Sequence, residues 1–166
     1  MNTMLLTAAI DDRAGQGQIA SRIGLDREAD VFASDTDVFA MIKDKNDQEE
    51  IDCVMIDEAQ FLSKEQVWQL SRVTDDLSIP VICYGLRTDF RGELFPGSGA
   101  LLALADTLRE IRTICWCGRK ANMVLRMDGD GSAVKQGTQV VIGGDDVYAS
   151  VCRKHWKSGK PKKTPK

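Results

Sequence analysis

The run Cys53-Val54-Met55-Ile56 ends in two adjacent carboxylates, Asp57 and Glu58. A continuous apolar run of this length has the pattern of a buried strand in a parallel sheet. Such a strand delivers its terminal acids to the rim of the sheet. Carboxylates placed there suit phosphoryl transfer, in which one stands near a magnesium ion and its neighbour accepts a proton from an attacking hydroxyl. The same residues also suit a plainer strand, with Asp57 opening a loop and Glu58 solvated.

The surrounding chain supplies more of the same architecture. Met4 to Ile10 reads as a strand, followed by a charged, glycine-dotted loop from Asp11 to Gly24. Ser34 or Asp35 can cap a helix bearing Val38, Phe39 and Ile42. Ser63-Lys64-Glu65-Gln66 has the form of a capping box, and Val67, Leu70, Val73 and Leu77 then line one helical face. After Pro80, the run Val81 to Leu86 is apolar enough for a strand covered on both faces. A helix over Ala100 to Ala105 and a strand over Glu110 to Ile114 complete the βαβ pattern.

Beyond Cys115 the character changes to strand-like Met123 to Met127, Gln139 to Ile142 and Val147 to Val151, with a turn at Asp128-Gly129-Asp130-Gly131. The expected fold is therefore α/β: a parallel domain over residues 1–114, a small antiparallel module over 115–156, and a disordered basic tail over 157–166.

Arg153, Lys154, Lys157, Lys160, Lys162, Lys163 and Lys166 carry positive charge with no acid among them, yet the whole chain has a net charge of −3. The body is thus acidic and a poor electrostatic match for nucleic acid. With 166 residues and 43% hydrophobic content, one main core plus a small module is the expected scale. No run reaches the roughly 18 to 20 apolar residues of a membrane span. No basic start, long apolar stretch and cleavage site opens the chain, so a cytoplasmic location is expected. Five cysteines without an export signal argue for metal binding or simple burial rather than a disulfide framework.

Cys115 and Cys117 form one candidate ligand pair; Cys152 and His155, the only histidine, form another. Two tight knuckles separated by hairpin-forming sequence are the arithmetic of a zinc ribbon, and four such ligands close a tetrahedron with no water position, so the metal would be structural. The Cys-x-Cys gap is tighter than the usual two residues, and two buried cysteines beside a solvated histidine is the other reading.

Four blocks in order carry a resemblance: Ala9-Ile10-Asp11-Asp12-Arg13, Met55-Ile56-Asp57-Glu58-Ala59-Gln60-Phe61, Tyr84-Gly85-Leu86-Arg87-Thr88-Asp89-Phe90-Arg91-Gly92, and Val140-Val141-Ile142-Gly143-Gly144 with Tyr148 beyond it. From Thr7 to Trp156 the chain resembles the cellular type of thymidine kinase, a tetrameric family pairing a P-loop NTPase-like parallel α/β domain with a zinc-held lasso. The resemblance implies that Glu58 removes the proton from the deoxyribose 5′-hydroxyl and that Asp57 faces magnesium. It implies an ATP-magnesium site drawing on Asp11, Asp12, Arg13, Asp57, Glu58, Ala59 and Gln60, with Arg13 near the donor phosphates. Phe61, Leu86, Phe90 and Phe95 would wall the base pocket. Gln139, Val140, Val141, Ile142 and Gly143 would hydrogen-bond thymine through their backbone, and Tyr148 would close over it. Thymidine and ATP are the implied substrates, zinc the structural metal, and a homotetramer the implied assembly. Taken without the resemblance, the phenylalanines read as core, Gly143-Gly144 as a turn and Arg13 as a surface residue.

The same family opens with a strand, a Gly-x-x-x-x-Gly-Lys-Ser/Thr loop and a helix, which this sequence does not contain. Ser158-Gly159-Lys160-Pro161 has the Gly-Lys pair but no first glycine, hydroxyl residue or preceding strand. The expectation is a start at an internal methionine of a longer protein, or a shortened form, with weak ATP binding in this chain. Two other readings stand beside the kinase. Asp57-Glu58-Ala59-Gln60 also looks like the motif after the magnesium strand of helicases, and a remnant that does no chemistry is the third.

Overall fold

Leu6 at the middle of the first strand is completely excluded from solvent, with Met4 and Ala8 on the same alternation beside it. That strand, β1 (Thr3–Ala8), is the hub of the first of two compact units of the chain, which comprises Met1–Arg87 and Phe95–Asp106. The computed structural model describes residues 1–21, 23–144 and 147–162. β1 is flanked by β4 (Asp30–Phe32) and β5 (Cys53–Ile56), with β6 (Val81–Cys83) beyond β5, and every pairing is parallel. Between β1 and β4 the chain forms a small antiparallel hairpin of β2 (Gln18–Ala20) and β3 (Asp26–Glu28), whose first strand falls within the loop expected over Asp11 to Gly24.

Among the described residues, α1 (Val38–Gln48), α2 (Lys64–Leu77) and α3 (Pro96–Leu104), with a 3-10 turn over Ala59–Phe61, complete the unit. The expected capping box is formed, with Ser63 Oγ accepting from the Gln66 amide and Gln66 Oε1 accepting from the Ser63 amide. The cap of α1 falls later than expected, on Asp37, whose carboxylate accepts from the Ala40 amide at 2.9 Å. Ser34 and Asp35 lie within a turn closed by the Ala33 amide donating to Thr36 Oγ1, so the helix starts only after it. Buried Gln66 secures that turn to α2 by donating to the carbonyls of Ala33 and Thr36. Val38, Ile42, Val54, Ile56, Leu62, Leu70 and Val73 fill the core with the apolar residues of β1. Each such side chain contributes about 1.5–3 kcal/mol by leaving water. β6 departs from expectation. It is a three-residue edge strand with Ile82 40% exposed, rather than a longer strand covered on both faces.

The second unit comprises Thr88–Leu94 and the chain from Thr107 onward. β9 (Met123–Met127) is the centre of an antiparallel sheet between β10 (Ala133–Val134) and β11 (Tyr148–Val151), and β7 (Thr113–Ile114) pairs with β8 (Lys120–Ala121). A short helix, α4 (Arg153–Lys157), follows β11. Leu125, Val151, Cys115 and Cys152 form its core. The turn at 128–131 is present, with Asp128 Oδ1 accepting from the amides of Asp130 and Ser132. The strand expected over 110–114 is shorter, its ladder with β8 running over Thr113 and Ile114.

Gln139 to Ile142 is not a strand. The backbone leading into and along this segment bonds to side chains instead of a neighbouring strand, with Arg126 on the carbonyls of Gln136 and Thr138 and Tyr148 on that of Val141. Among the described residues, no helix is long and apolar enough to cross a membrane.

Candidate active site and metal centre

In the first unit, the connection leaving β1 runs toward β4 and that leaving β5 runs toward β6, on the other side. The carboxyl ends of β1 and β5 therefore flank a topological switch point, where open α/β sheets form their ligand crevices. Asp11, Asp12 and Arg13 follow the first strand, and Asp57 and Glu58 follow the second. Arg13 closes the gap: Nη2 donates to Glu58 Oε1 at 2.5 Å, while Nε and Nη2 grip the two oxygens of Asp11 at 2.6 and 2.7 Å. The Arg13 hydrogen bonds hold the Asp11 carboxyl below its usual range despite partial burial, and Asp11 in turn drives Arg13 still further toward its charged form. Asp12 is exposed, and its carbonyl closes a turn on the Gly15 amide.

Glu58 has φ 54° and ψ 36°, left-handed backbone that a residue with a Cβ seldom adopts. Its amide donates to Asp57 Oδ1 at 2.9 Å, which helps fix the turn. Its second carboxylate oxygen accepts from Gln60 Nε2 at 2.5 Å, and Gln60 Oε1 accepts from the Leu86 amide at 3.0 Å. Glu58 is thus suspended between a guanidinium and a buried amide. Non-glycine residues in this conformation cluster at functional sites, where the surroundings enforce them. Ala59 is wholly buried, and its amide donates to the Tyr84 carbonyl, so its contribution is to the turn.

Of the expected pocket residues in this unit, Phe61 and Phe95 meet edge to face, with ring centroids 6.0 Å apart. Leu86 is half exposed and held at both backbone ends, its amide by Gln60 and its carbonyl by Ser98 Oγ at 2.6 Å. Gly85 permits this arrangement, because a Cβ there would lie 2.7 Å from Gln60 Oε1.

In the second unit, Phe90 is buried in the loop Thr88–Leu94, its carbonyl accepting from Trp156 Nε1 at 2.9 Å. Gln139 Nε2 donates to Asp89 Oδ2 at 3.1 Å, and Tyr148 Oη donates to the Val141 carbonyl at 2.7 Å. Val140 is half-buried, whereas Val141 and Ile142 are exposed. Gly143 is needed for a local reason, since a Cβ would fall 2.6 Å from a Val147 methyl. The sequence reading gave no role to Asp89, Arg126, Trp156 or Ser98. Arg126 carried a usable signal, as the one charge within the apolar strand Met123–Met127.

The four proposed metal ligands come together. One ligand atom from each of Cys115, Cys117, Cys152 and His155 lies within 4.8 Å of all the others. Nδ1 of His155 is 3.3 Å from Cys115 Sγ and 3.5 Å from Cys152 Sγ, and the Cys117 and Cys152 sulfurs are 3.9 Å apart. A zinc tetrahedron with Zn–S near 2.3 Å and Zn–N near 2.0 Å has edges of about 3.8 Å between sulfurs and about 3.5 Å from sulfur to nitrogen. The donor set and spacing therefore fit a metal ion and are compatible with zinc. Burial tends to raise the Cys115 thiol, but hydrogen bonds from His155 and the backbone amides of Cys117 and Cys152 outweigh it and hold the group at about 6. Trp116 stacks on the His155 ring at 4.0 Å and fixes its plane. Cys53 and Cys83 belong to the first unit, where burial pushes Cys83 up to about 12 and leaves it inert.

An acid pair and an arginine at the switch point of a parallel sheet, and in the antiparallel unit a Cys3His cluster that could hold a metal ion, define an α/β protein of the phosphate-transferring class. The family model described as thymidine kinase matches residues 1–156. The thymidine kinase of Ruegeria pomeroyi is 63% identical over 157 residues, covering 95% of this chain and 79% of its own. That of Rhizobium meliloti is 60% identical over 158 residues, covering 94% and 81%. That of Haemophilus influenzae strain Rd is 58% identical over 157 residues, covering 95% and 81%. The chain belongs to the thymidine kinase family and is, with that family, an enzyme of the transferase class.

Proposed function

We propose that this protein transfers the γ-phosphate of ATP to the 5′-hydroxyl of thymidine, with Glu58 as the general base. The observation that carries the assignment is the suspension of the Glu58 carboxylate at the tip of β5 between Arg13 and Gln60. Glu58 takes the hydroxyl proton as the 5′-oxygen bonds to the γ-phosphorus, and the bond from that phosphorus to the ADP oxygen breaks. Arg13 offsets the charge that develops on the phosphoryl oxygens. Asp57, a half-buried carboxylate with hard oxygen donors, would hold magnesium, which when bound would supply positive charge against the phosphates.

Phe61, Leu86 and Phe95 of the first unit are assigned to base binding, as is Phe90 of the second. Backbone groups of Gln139, Val140, Val141, Ile142 and Gly143 read the pyrimidine edge, and Tyr148 covers it. The hydrogen bonds from Gln139 to Asp89 and from Tyr148 to Val141 support this reading, since they order the segment that does the recognising. The metal in the Cys3His knot is zinc in a structural role. Free thiols and an acidic body support a cytoplasmic protein that does not bind nucleic acid, and the family supports a homotetramer. Incubation of the protein with ATP, magnesium and thymidine tests the activity. Equal amounts of ADP and thymidine monophosphate are expected, and ADP release without a phosphorylated nucleoside would overturn the substrate assignment.

A further inference from the structure

We propose that Arg126 is a positioning residue for nucleoside recognition, setting the base-reading segment 139–143 in place relative to Phe90. The inference rests on the assignment of that segment to pyrimidine binding. Arg126 projects from β9, next to its last residue, and is 8% exposed. Its guanidinium touches two separate parts of the second unit. Nη1 donates to the Thr138 carbonyl at 2.8 Å and Nη2 to that of Gln136 at 3.1 Å, while the guanidinium carbon lies 3.8 Å above the centre of the Phe90 ring. One flat cation thus holds the entry to the base-reading segment by its edge and an aromatic pocket residue by its face.

Two further features fit the same geometry. Gly137, between the two gripped carbonyls, has φ +129°, and a Cβ there would overlap Nη2 of Arg126. The backbone there lies close against the guanidinium, in a conformation that favours glycine. Asp89, the neighbour of Phe90, accepts from Gln139 Nε2, so the Phe90 loop and the segment are tied at a second point one residue past Thr138. Asp89 is itself held by the amides of Arg91 and Glu93 and by the Arg91 guanidinium.

Stability alone is a poor reason for this arrangement. A buried guanidinium satisfied by neutral carbonyls bears a desolvation penalty that an aliphatic residue in the same strand would avoid. What arginine adds is a rigid planar fork whose edge and face can engage different partners at once, which lysine cannot reproduce.

The test compares Arg126→Lys, Arg126→Met and Gly137→Ala in the zinc-loaded protein by steady-state kinetics and by amide hydrogen exchange over 136–143. The expected result is a rise of about tenfold or more in the thymidine KM for Arg126→Lys and Gly137→Ala, with kcat and the ATP KM within about twofold of the parent. Thymidine protects the 139–143 amides in the parent, and the variants need correspondingly more of it. Should Arg126→Met fail to retain zinc, the other two variants decide. A parent-like thymidine KM in folded Arg126→Lys and Gly137→Ala, or a fall in kcat that leaves both KM values unchanged, overturns the inference alone. Absence of thymidine protection at 139–143 in the parent overturns the underlying assignment and the inference with it.

Discussion

Arg13 Nη2 and Glu58 Oε1 stand 2.5 Å apart, joining the segments that follow β1 and β5 at the switch point of the parallel sheet. The two residues are 45 positions apart in the chain and have opposite tasks in the proposed reaction, one accepting a proton and the other offsetting negative charge. Their pairing orients the carboxylate before substrate arrives. Glu58→Gln retains the shape and the contact with Gln60 while removing the proton acceptor. Turnover of thymidine is expected to fall by roughly 10² to 10⁴, with the thymidine KM close to the parent value. Steady-state rates decide this, and parent-like kcat would remove Glu58 from the mechanism.

The Arg13–Asp11 pair gives a pH signature. Asp11 has its carboxyl lowered in the folded protein, first by the Arg13 hydrogen bond. A depressed folded value means that the pair contributes stability above the unfolded carboxylate range and loses it as pH falls through the folded value. Arg13→Gln should let Asp11 titrate higher, by NMR of the side-chain carboxyl, and should remove that part of the acid dependence below about pH 4. An Asp11 titration that does not move would show that Arg13 is not its partner in solution.

Gly85 sets the position of Gln60. In Gly85→Ala the new methyl would meet Gln60 Oε1 at 2.7 Å and the Gln60 amide nitrogen at 3.0 Å, in a place where backbone cannot easily yield. The expected loss is about 1–3 kcal/mol of stability from overpacking, together with reduced kcat as the amide swings away from Glu58. Gly129→Ala is the control, since nothing lies within 4 Å of a Cβ there. It should stay within about 0.5 kcal/mol of the parent in denaturant titration.

How much of this could be read from the chain depended on whether neighbours in sequence or distant side chains decide the structure. The strand before Asp57-Glu58 was legible because Cys53 to Ile56 is a continuous apolar run, and Ser63 with Gln66 was legible because both halves of a capping box lie within one turn. The ligand quartet was legible from residue type. Gln139 to Ile142 was misread as a strand because its apolar content suits one, while the groups that actually engage this stretch of backbone come from Arg126 and Tyr148. The β2–β3 hairpin was invisible for the opposite reason. Asp26, Arg27 and Glu28 are all exposed, so no alternation marks them. Glu58's left-handed backbone has no signature in the sequence, since it follows from what Asp57, Gln60 and Arg13 together require.

The metal knot carries the last prediction. The second unit has a small core of Leu125, Val151, Cys115 and Cys152, and two of those four residues belong to the cluster proposed to hold zinc. A module with so little apolar surface to bury depends on ligand bonds to fold, and metal-binding energy is then folding energy. Purified protein should contain one equivalent of zinc. Cys152→Ser should lose it and, with it, the protection of β9 and β11 amides, while the β1 and β5 amides of the first unit stay protected. The divergence is expected because the core around Leu6 and Ile56 contains none of the four ligands. Elemental analysis paired with hydrogen exchange reads both effects in one preparation. Retention of β9 and β11 protection in zinc-free Cys152→Ser would show that the antiparallel sheet folds on its apolar contacts alone.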